Sequence, residues 1–309
     1  MRILITGGAG FIGSHLVEGF ARDGHDVVVL DNLSSGRSEN LVGLDVPFEL
    51  IVGDIRDRAV VKKALEGVEG ILHHAAIASV PASVEEPFET GTVNIQGTAL
   101  LLEEARHARV GRVVLASSSA VYGEGSPPLS ESDATLPLSP YGAHKLAGEH
   151  LARAMSMTGE IDAGSLRYFN VYGPRQRSDS DYAAAIPIFF DRIARGESPR
   201  IFGDGTQTRD FVHVSDVLEA NRQALLCPTP LAGRAFNVAG GSAISIEELA
   251  TEILAISGAN LPVEFAAPRA GDIVHSHAAI ARIEGALGWK PRTTLKDGLE
   301  TLVEERAQG

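Results

Sequence analysis

Arg2-Ile3-Leu4-Ile5-Thr6-Gly7-Gly8-Ala9-Gly10-Phe11-Ile12-Gly13-Ser14-His15-Leu16 is the stretch whose reading decides the fold. A short apolar run, a glycine turn, then apolar residues at helical spacing read as strand, loop and helix. Gly7 permits the tight turn, Gly10 lets a pyrophosphate approach the backbone, and Gly13 lets the helix pack closely on the strand. The first N–H groups of that helix, from Phe11 and Ile12, lack helical partners and would face the phosphates.

Such a glycine pattern is weak alone, and its surroundings decide it. Asp26-Val27-Val28-Val29-Leu30 is a second apolar run, ending at Asp31. That is about 20 residues on, where a dinucleotide fold places the acid that holds the adenosine ribose. A carboxylate there repels a 2′-phosphate and favours NAD, while Arg37, close in sequence, keeps NADP open. A third strand, Phe48 to Val52, leads into Gly53-Asp54-Ile55, whose acid could accept from an adenine amino group or cap the next helix. The fourth, from Gly70, ends in Ala75-Ala76, small residues that let a flat cofactor pass close to the backbone. His73 and His74 sit next to one another on that strand and point to opposite faces, without a helical ligand spacing, so they read as structural rather than metal-binding. Asn94 to Ala108 reads as a crossover helix with a buried stripe at Ile95, Ala99, Leu102 and Ala105.

Composition narrows the partners. The 309 residues carry a net charge of −13, which disfavours a nucleic-acid partner. The hydrophobic fraction of 44% and charged fraction of 22% suit a globular α/β enzyme. No apolar run reaches membrane-spanning length and the first strand is cut short by glycines rather than shaped as a signal, so a cytoplasmic protein without a membrane partner is expected. Cys227 is the only cysteine, which rules out disulfides within the chain.

The fifth strand, Gly111 to Ala116, delivers Ser117-Ser118-Ser119 to a C-terminal strand end, where open α/β sheets bind ligands. After the turn Pro137 to Pro140, a helix begins with Tyr141 and Lys145 one turn apart on one face. A phenol titrates near pH 10, and a neighbouring ammonium would favour its phenolate form as a base at neutral pH. Ser118 could hydrogen-bond the reacting oxygen. Ile161 to Tyr168 is a sixth strand. Beyond it lie a helix at Ile186 to Arg195, strands near Pro199 to Gly205 and Phe236 to Ala239, and helices at Ile246 to Ile256 and Gly298 to Glu305. The expected fold is α/β: a Rossmann-like doubly wound parallel sheet (residues 1–169 plus about 211–239) with a smaller mixed substrate-binding lobe (170–210 and 240–309).

With these motifs in order, the chain resembles the extended short-chain dehydrogenase/reductases, and within them the UDP-sugar 4-epimerases. The likeness runs end to end, through the glycine loop, Asp31-Asn32, Asp54-Ile55, Ser117 to Gly123, Tyr141 with Lys145, Arg167 to Arg175, Gly203 to Phe211, and Arg269 with Gly271-Asp272. It implies that Tyr141 is the base, that Lys145 holds the nicotinamide ribose, and that Ser118 assists the proton. Asn32, Asp54, Ile55, Ala75, Ala76 and Asn94 would flank NAD. Asn170, Arg209 and Arg269 would hold the UDP phosphates and Asp272 the uridine ribose. Hydride would leave C4 of the sugar for NAD, the 4-keto sugar would rotate, and hydride would return to its other face. Relatives that lose water or carbon dioxide carry acids where this chain has Ser119 and Ala120, which disfavours a dehydratase or decarboxylase. The residue that gates the sugar pocket corresponds to Ser276, small enough to admit UDP-N-acetylglucosamine beside UDP-glucose. Arg177 and Arg192 leave UDP-glucuronate as an alternative, and a non-enzymatic NAD-sensing protein is a further one. The resemblance also implies a homodimer.

Overall fold

The computed structural model describes residues 1–178, 184–268 and 274–308. Six expected strands form in order: β1 (Arg2–Thr6), β2 (Asp26–Asp31), β3 (Glu49–Val52), β4 (Gly70–His73), β5 (Arg112–Ser118) and β6 (Asp162–Tyr168). They are followed by β7 (Asn170–Tyr172), β8 (Arg200–Phe202), β9 (Thr208–His213), β10 (Ala235–Val238), β11 (Ala243–Ser245) and β12 (Glu264–Ala266). The main sheet is all parallel, in the order β10-β6-β5-β4-β1-β2-β3. Chain order reverses between β1 and β4, opening the crevice in which doubly wound sheets bind nucleotides.

Both faces of this sheet are covered, which explains its nearly unbroken apolar strands. Ile3, Ile5, Val27 and Val29 pack to one side with Leu16, Val17 and Phe20 of α1 (Phe11–Arg22). Leu4, Val28 and Leu30 pack to the other with Val61 and Ala64. The helices between α1 and β5 are α2 (Glu39–Val42), α3 (Arg58–Ala64), α4 (Val80–Glu85), α5 (Pro87–Gly91) and α6 (Thr98–His107). Next comes α7 (Pro140–Met157), beginning one residue earlier than expected because Ser139 caps it, its hydroxyl accepting from Gly142 N–H at 3.2 Å.

Two expectations change on this side. The helix foreseen over Asn94 to Ala108 is not uniform: a π-helical segment, Thr92–Gly97, precedes α6. Its wide turn lets the Asn94 carboxamide clasp Ile77, accepting from its N–H at 2.8 Å and donating to its carbonyl at 3.1 Å. The cap of α3 is Asp57, which accepts from Ala59 and Val60 N–H, and not Asp54. Asp54 instead takes the Arg56 N–H at 2.8 Å and its guanidinium at 3.0 and 2.8 Å.

The remaining helices are α8 (Ala185–Ala194), α9 (Val214–Leu226), α10 (Ile246–Ile256), α11 (Ala281–Leu287) and α12 (Leu295–Gln308). Helix α9 joins α1 on the main sheet through Val217, Ala220 and Ala224. A three-stranded sheet, β11-β9-β7, and the pair β12-β8 lie against a separate core of Tyr172, Phe189, Phe190, Phe211, Leu249, Ile253 and Leu299. Helix α12 starts a turn before the expected Gly298, whose bare Cα lets Tyr172 approach: a Cβ there would lie 2.1 Å from the tyrosine hydroxyl.

Candidate active site

The glycine loop is built for close approach. A Cβ on Gly13 would fall 2.1 Å from the Gly7 carbonyl oxygen, and one on Gly7 would fall 2.6 Å from Ala75 N. Gly7 also has φ +72°, a conformation L side chains rarely adopt. Gly10 begins α1 with no side-chain cap, leaving the first N–H groups, those of Phe11 and Ile12 among them, for an anion. At the end of β2, Asp31 is 7% exposed, and its carboxylate accepts from Ala9 N–H at 2.9 Å and Leu33 N–H at 2.8 Å. Asn32 reaches Asp54 at 3.3 Å. The Arg56 guanidinium holds the Asp54 carboxyl down at about 2. Ile55 is buried against Gly97. Ala75, Ala76, Asn94 and Lys145 line one cavity along the end of β4. Asp31, the small residues and the uncapped helix therefore fit a dinucleotide. Beneath them His73 engages both ring nitrogens, with Thr6 at 2.7 Å and Thr98 at 2.8 Å, and burial drops its pKa to about 3.

The three residues foreseen for proton transfer converge at the end of β5. Tyr141 and Lys145 stand one turn apart on α7, with the Lys145 Nζ 5.9 Å from the centre of the tyrosine ring. Burial pushes the Tyr141 phenol above its ordinary pKa, and a hydrogen bond with Ser118 pulls it the other way. Burial also lowers the Lys145 ammonium to about 8. For Tyr141 burial outweighs the Ser118 hydrogen bond, and Lys145 Nζ donates to the Ala116 carbonyl at 2.9 Å.

Other residues hold this trio, and the sequence reading did not single them out. Ser83 of α4, fully buried, accepts from Tyr141 N–H at 2.9 Å and donates to the Val80 carbonyl at 2.6 Å. It supplies a partner for an N–H that the first turn of α7 leaves open. Glu149, two turns beyond Tyr141 on α7, takes a two-pronged ion pair from Arg167 of β6 at 2.8 and 2.6 Å and a hydrogen bond from Ser117. The i, i+4, i+8 spacing of Tyr141, Lys145 and Glu149 was the available signal for the latter.

In the three-stranded sheet, β7 and β9 run parallel and bring two predicted residues to adjoining strands. Asn170 Nδ2 donates to the Asp210 carbonyl at 2.9 Å, and Arg209 Nη1 to the Thr208 carbonyl at 2.9 Å. Ser276 is 7% exposed, its N–H bonded to the Thr208 carbonyl at 3.1 Å. Asp210 is buried, which raises its carboxyl to about 6 against the N–H groups of Ala278 and Gly241 that it accepts. Arg269 and Asp272 lie outside the described residues.

The solved structures this chain resembles include a dTDP-glucose 4,6-dehydratase of Streptomyces venezuelae with NAD bound, which superposes with a TM-score of 0.91 at 34% identity over 100% of this chain and 98% of its own, alongside several epimerases. Residues 3–239 match the model of the NAD dependent epimerase/dehydratase family. A UDP-glucose 4-epimerase of Mycolicibacterium smegmatis is 42% identical over 310 residues, covering 98% of each chain. The solved UDP-N-acetylglucosamine 4-epimerase of Methanobrevibacter ruminantium, in complex with UDP-N-acetylmuramic acid, superposes with a TM-score of 0.94 at 38% identity, over 100% of this chain and 99% of its own. The UDP-glucuronic acid 4-epimerase of Bacillus cereus, solved with UDP-glucuronic acid and NAD, gives 0.92 at 34%, over 100% and 99%. With this match spanning the glycine loop, the Ser118–Tyr141–Lys145 cluster and the whole parallel sheet, the chain belongs to the NAD-dependent epimerase/dehydratase family.

Proposed function

We propose that the protein is a UDP-sugar 4-epimerase, an isomerase that interconverts UDP-glucose with UDP-galactose and accepts the UDP-N-acetylhexosamines as well. The observation that carries this reading is the convergence of Ser118, Tyr141 and Lys145 at one strand end, with no carboxylate at Ser119 or Ala120 to remove a C5 proton. NAD, held by the glycine loop, Asp31 and Lys145, supplies the hydride acceptor and donor. Tyr141 exchanges the proton of the sugar C4 hydroxyl, and Ser118, bonded to it, steadies that oxygen. Lys145, tethered to the Ala116 carbonyl, would hold the nicotinamide ribose with its remaining N–H groups. Asn170, Arg209, Arg269 and Asp272 take the diphosphate and uridine, and guanidinium groups suit two phosphates in so acidic a chain. The sheet and α9 form the nucleotide lobe, which Ile283, Leu287 and Trp289 join by packing into its core, against the expected boundary; the rest of 170–210 and 240–309 forms the sugar lobe, and the cytoplasmic enzyme works as a homodimer, which light scattering tests.

Ser276 sets the sugar range: small, it leaves room for an N-acetyl group. Ser276→Tyr is expected to lower kcat/KM for UDP-N-acetylglucosamine by about 100-fold while sparing UDP-glucose. Equal loss of both overturns the gate. UDP-glucuronate is the weaker alternative, because Arg192 is bonded to Ser198 and Glu197, and Arg177 reaches the Ser35 carbonyl at 3.2 Å. Incubation with UDP-glucose, UDP-N-acetylglucosamine and UDP-glucuronate, followed by mass and NMR analysis, tests the whole. A 4-epimer of unchanged mass supports epimerisation, and a lighter product means a lyase. Absence of change with NAD supplied leaves an NAD-sensing protein.

A further inference from the structure

Asn237 is fully buried on β10, at the edge of the main sheet. A buried carboxamide is costly unless its donors and acceptor are met, and this one binds three separate segments. Its Oδ1 accepts from the Tyr122 hydroxyl at 2.6 Å, and its Nδ2 donates to the carbonyls of Leu129 at 2.9 Å and Ala279 at 3.1 Å. Its backbone N–H adds a bond to Glu131 at 2.8 Å.

Two of those segments are already stitched together. Leu129 N–H donates to the His277 carbonyl at 2.8 Å, and Ala279 N–H to the Leu129 carbonyl at 2.8 Å. Asp210 holds Ala278 N–H, and Thr208 holds Ser276 N–H. Residues 276–279 are thus a strip of chain pinned at each residue, with Asn237 the pin at its far end. In register Asn237 pairs with Arg167, which pairs with Ser117, so the pin lies in the row that carries the Glu149–Arg167 pair behind the catalytic helix. Arg167 also stacks on the Tyr122 ring, 4.8 Å from its centre.

We infer that Asn237 is a positioning residue for the sugar wall: by tying Ala279 and Leu129 to β10 it fixes where Ser276 stands, and so governs the choice between N-acetylated and plain hexoses. This rests on the reading of Ser276 as the gate. A plain hexose leaves the space beside Ser276 unfilled and tolerates a displaced wall, whereas an N-acetyl group needs the wall in place.

The test is titration calorimetry of UDP-N-acetylglucosamine and UDP-glucose, which reads the pocket whether or not either sugar turns over, with bound NAD measured alongside. Asn237→Ala is expected to retain NAD and to weaken the N-acetylated ligand about five-fold more than the plain one, the size of one net hydrogen bond. Asn221→Ala is the control: it removes an equally buried amide that serves Tyr168 and Val217 on the opposite face, and leaves the ratio unchanged. Equal weakening of both ligands by Asn237→Ala, or the same shift from Asn221→Ala, overturns the inference. So does a native protein that binds no N-acetylated ligand. If Asn237→Ala does not fold, Tyr122→Phe, which removes only the donor to Oδ1, must shift the ratio in the same direction; no shift overturns the inference. Ser276→Tyr separates the two ideas. A ratio that moves with Ser276→Tyr and not with Asn237→Ala keeps the gate and removes the pin; the reverse keeps the pinned wall and removes Ser276 as its gate.

Discussion

The main sheet and the smaller sheets of this molecule are held together differently. In the main sheet, seven parallel strands share continuous ladders, both faces are sealed by helices, and the residues assigned to NAD sit at strand ends or in the first turn of a helix. The smaller sheets have three and two strands, and the segment 276–279 is fixed from four distant places, by two backbone bonds to Leu129 and one each to Thr208, Asp210 and Asn237. A ladder places a residue by averaging over many bonds, whereas a pinned segment depends on each one. The first region should therefore fail as a whole when disturbed, and the second should change its preference before it fails.

Gly13→Ala is the harshest test of the ladder side. Its Cβ would meet the Gly7 carbonyl at 2.1 Å, so backbone must move, and the purified variant is expected to lose NAD and all turnover. Tyr141→Phe comes next: with Tyr141 as the proposed base, its loss is expected to cost about 1,000-fold in kcat, within the usual span for a positioned acid or base, while NAD content stays native. A variant that kept its turnover would remove Tyr141 from its assigned role. Ser83→Ala comes third, because Ser83 lies in α4 and its hydroxyl holds Tyr141 N–H. The expected outcome is a kcat lower by about ten-fold at unchanged KM; a change in KM alone would mean that Ser83 acts on substrate binding rather than on the tyrosine. The smallest effect is at Asp54. Its carboxyl is held at about 2, below the ordinary 3.8, so its stabilising share is present above pH 4 and lost as pH falls toward 2. Asp54→Asn should flatten that acid limb in urea titrations by less than about 1 kcal/mol, since the Arg56 pair is partly exposed.

The same contrast explains what could be read from the chain alone. Gly7, Gly13 and Asp31 were legible because their chemistry is local: strand, turn and helix lie within one short window. Tyr141 and Lys145 were legible through helical spacing. Asn170 and Arg209 were reached only through the family resemblance, although they prove to lie on adjoining strands. Ser83, Asp210 and Asn237 went unread because their partners lie 58, 68 and 108 residues away. Strand β9 was missed too, since Thr208-Arg209-Asp210 lacks the apolar alternation of a strand and is placed by its neighbours β7 and β11.

The wide turn at Thr92–Gly97 resolves a conflict of phase. Thr98 Oγ1 donates back to the Asn94 carbonyl at 2.8 Å, while Leu101, Leu102 and Ala105 must face the sheet core. An ordinary helix of 3.6 residues per turn would have to point Asn94 at Ile77 and keep that stripe inward from one continuous spiral. The π segment works as a vernier: one surplus residue of arc lets the two ends of the crossover be aimed separately, the first at Ile77 after β4 and the second at the core. Sequence drift in the stripe can then be absorbed without turning the amide away from the loop it fastens.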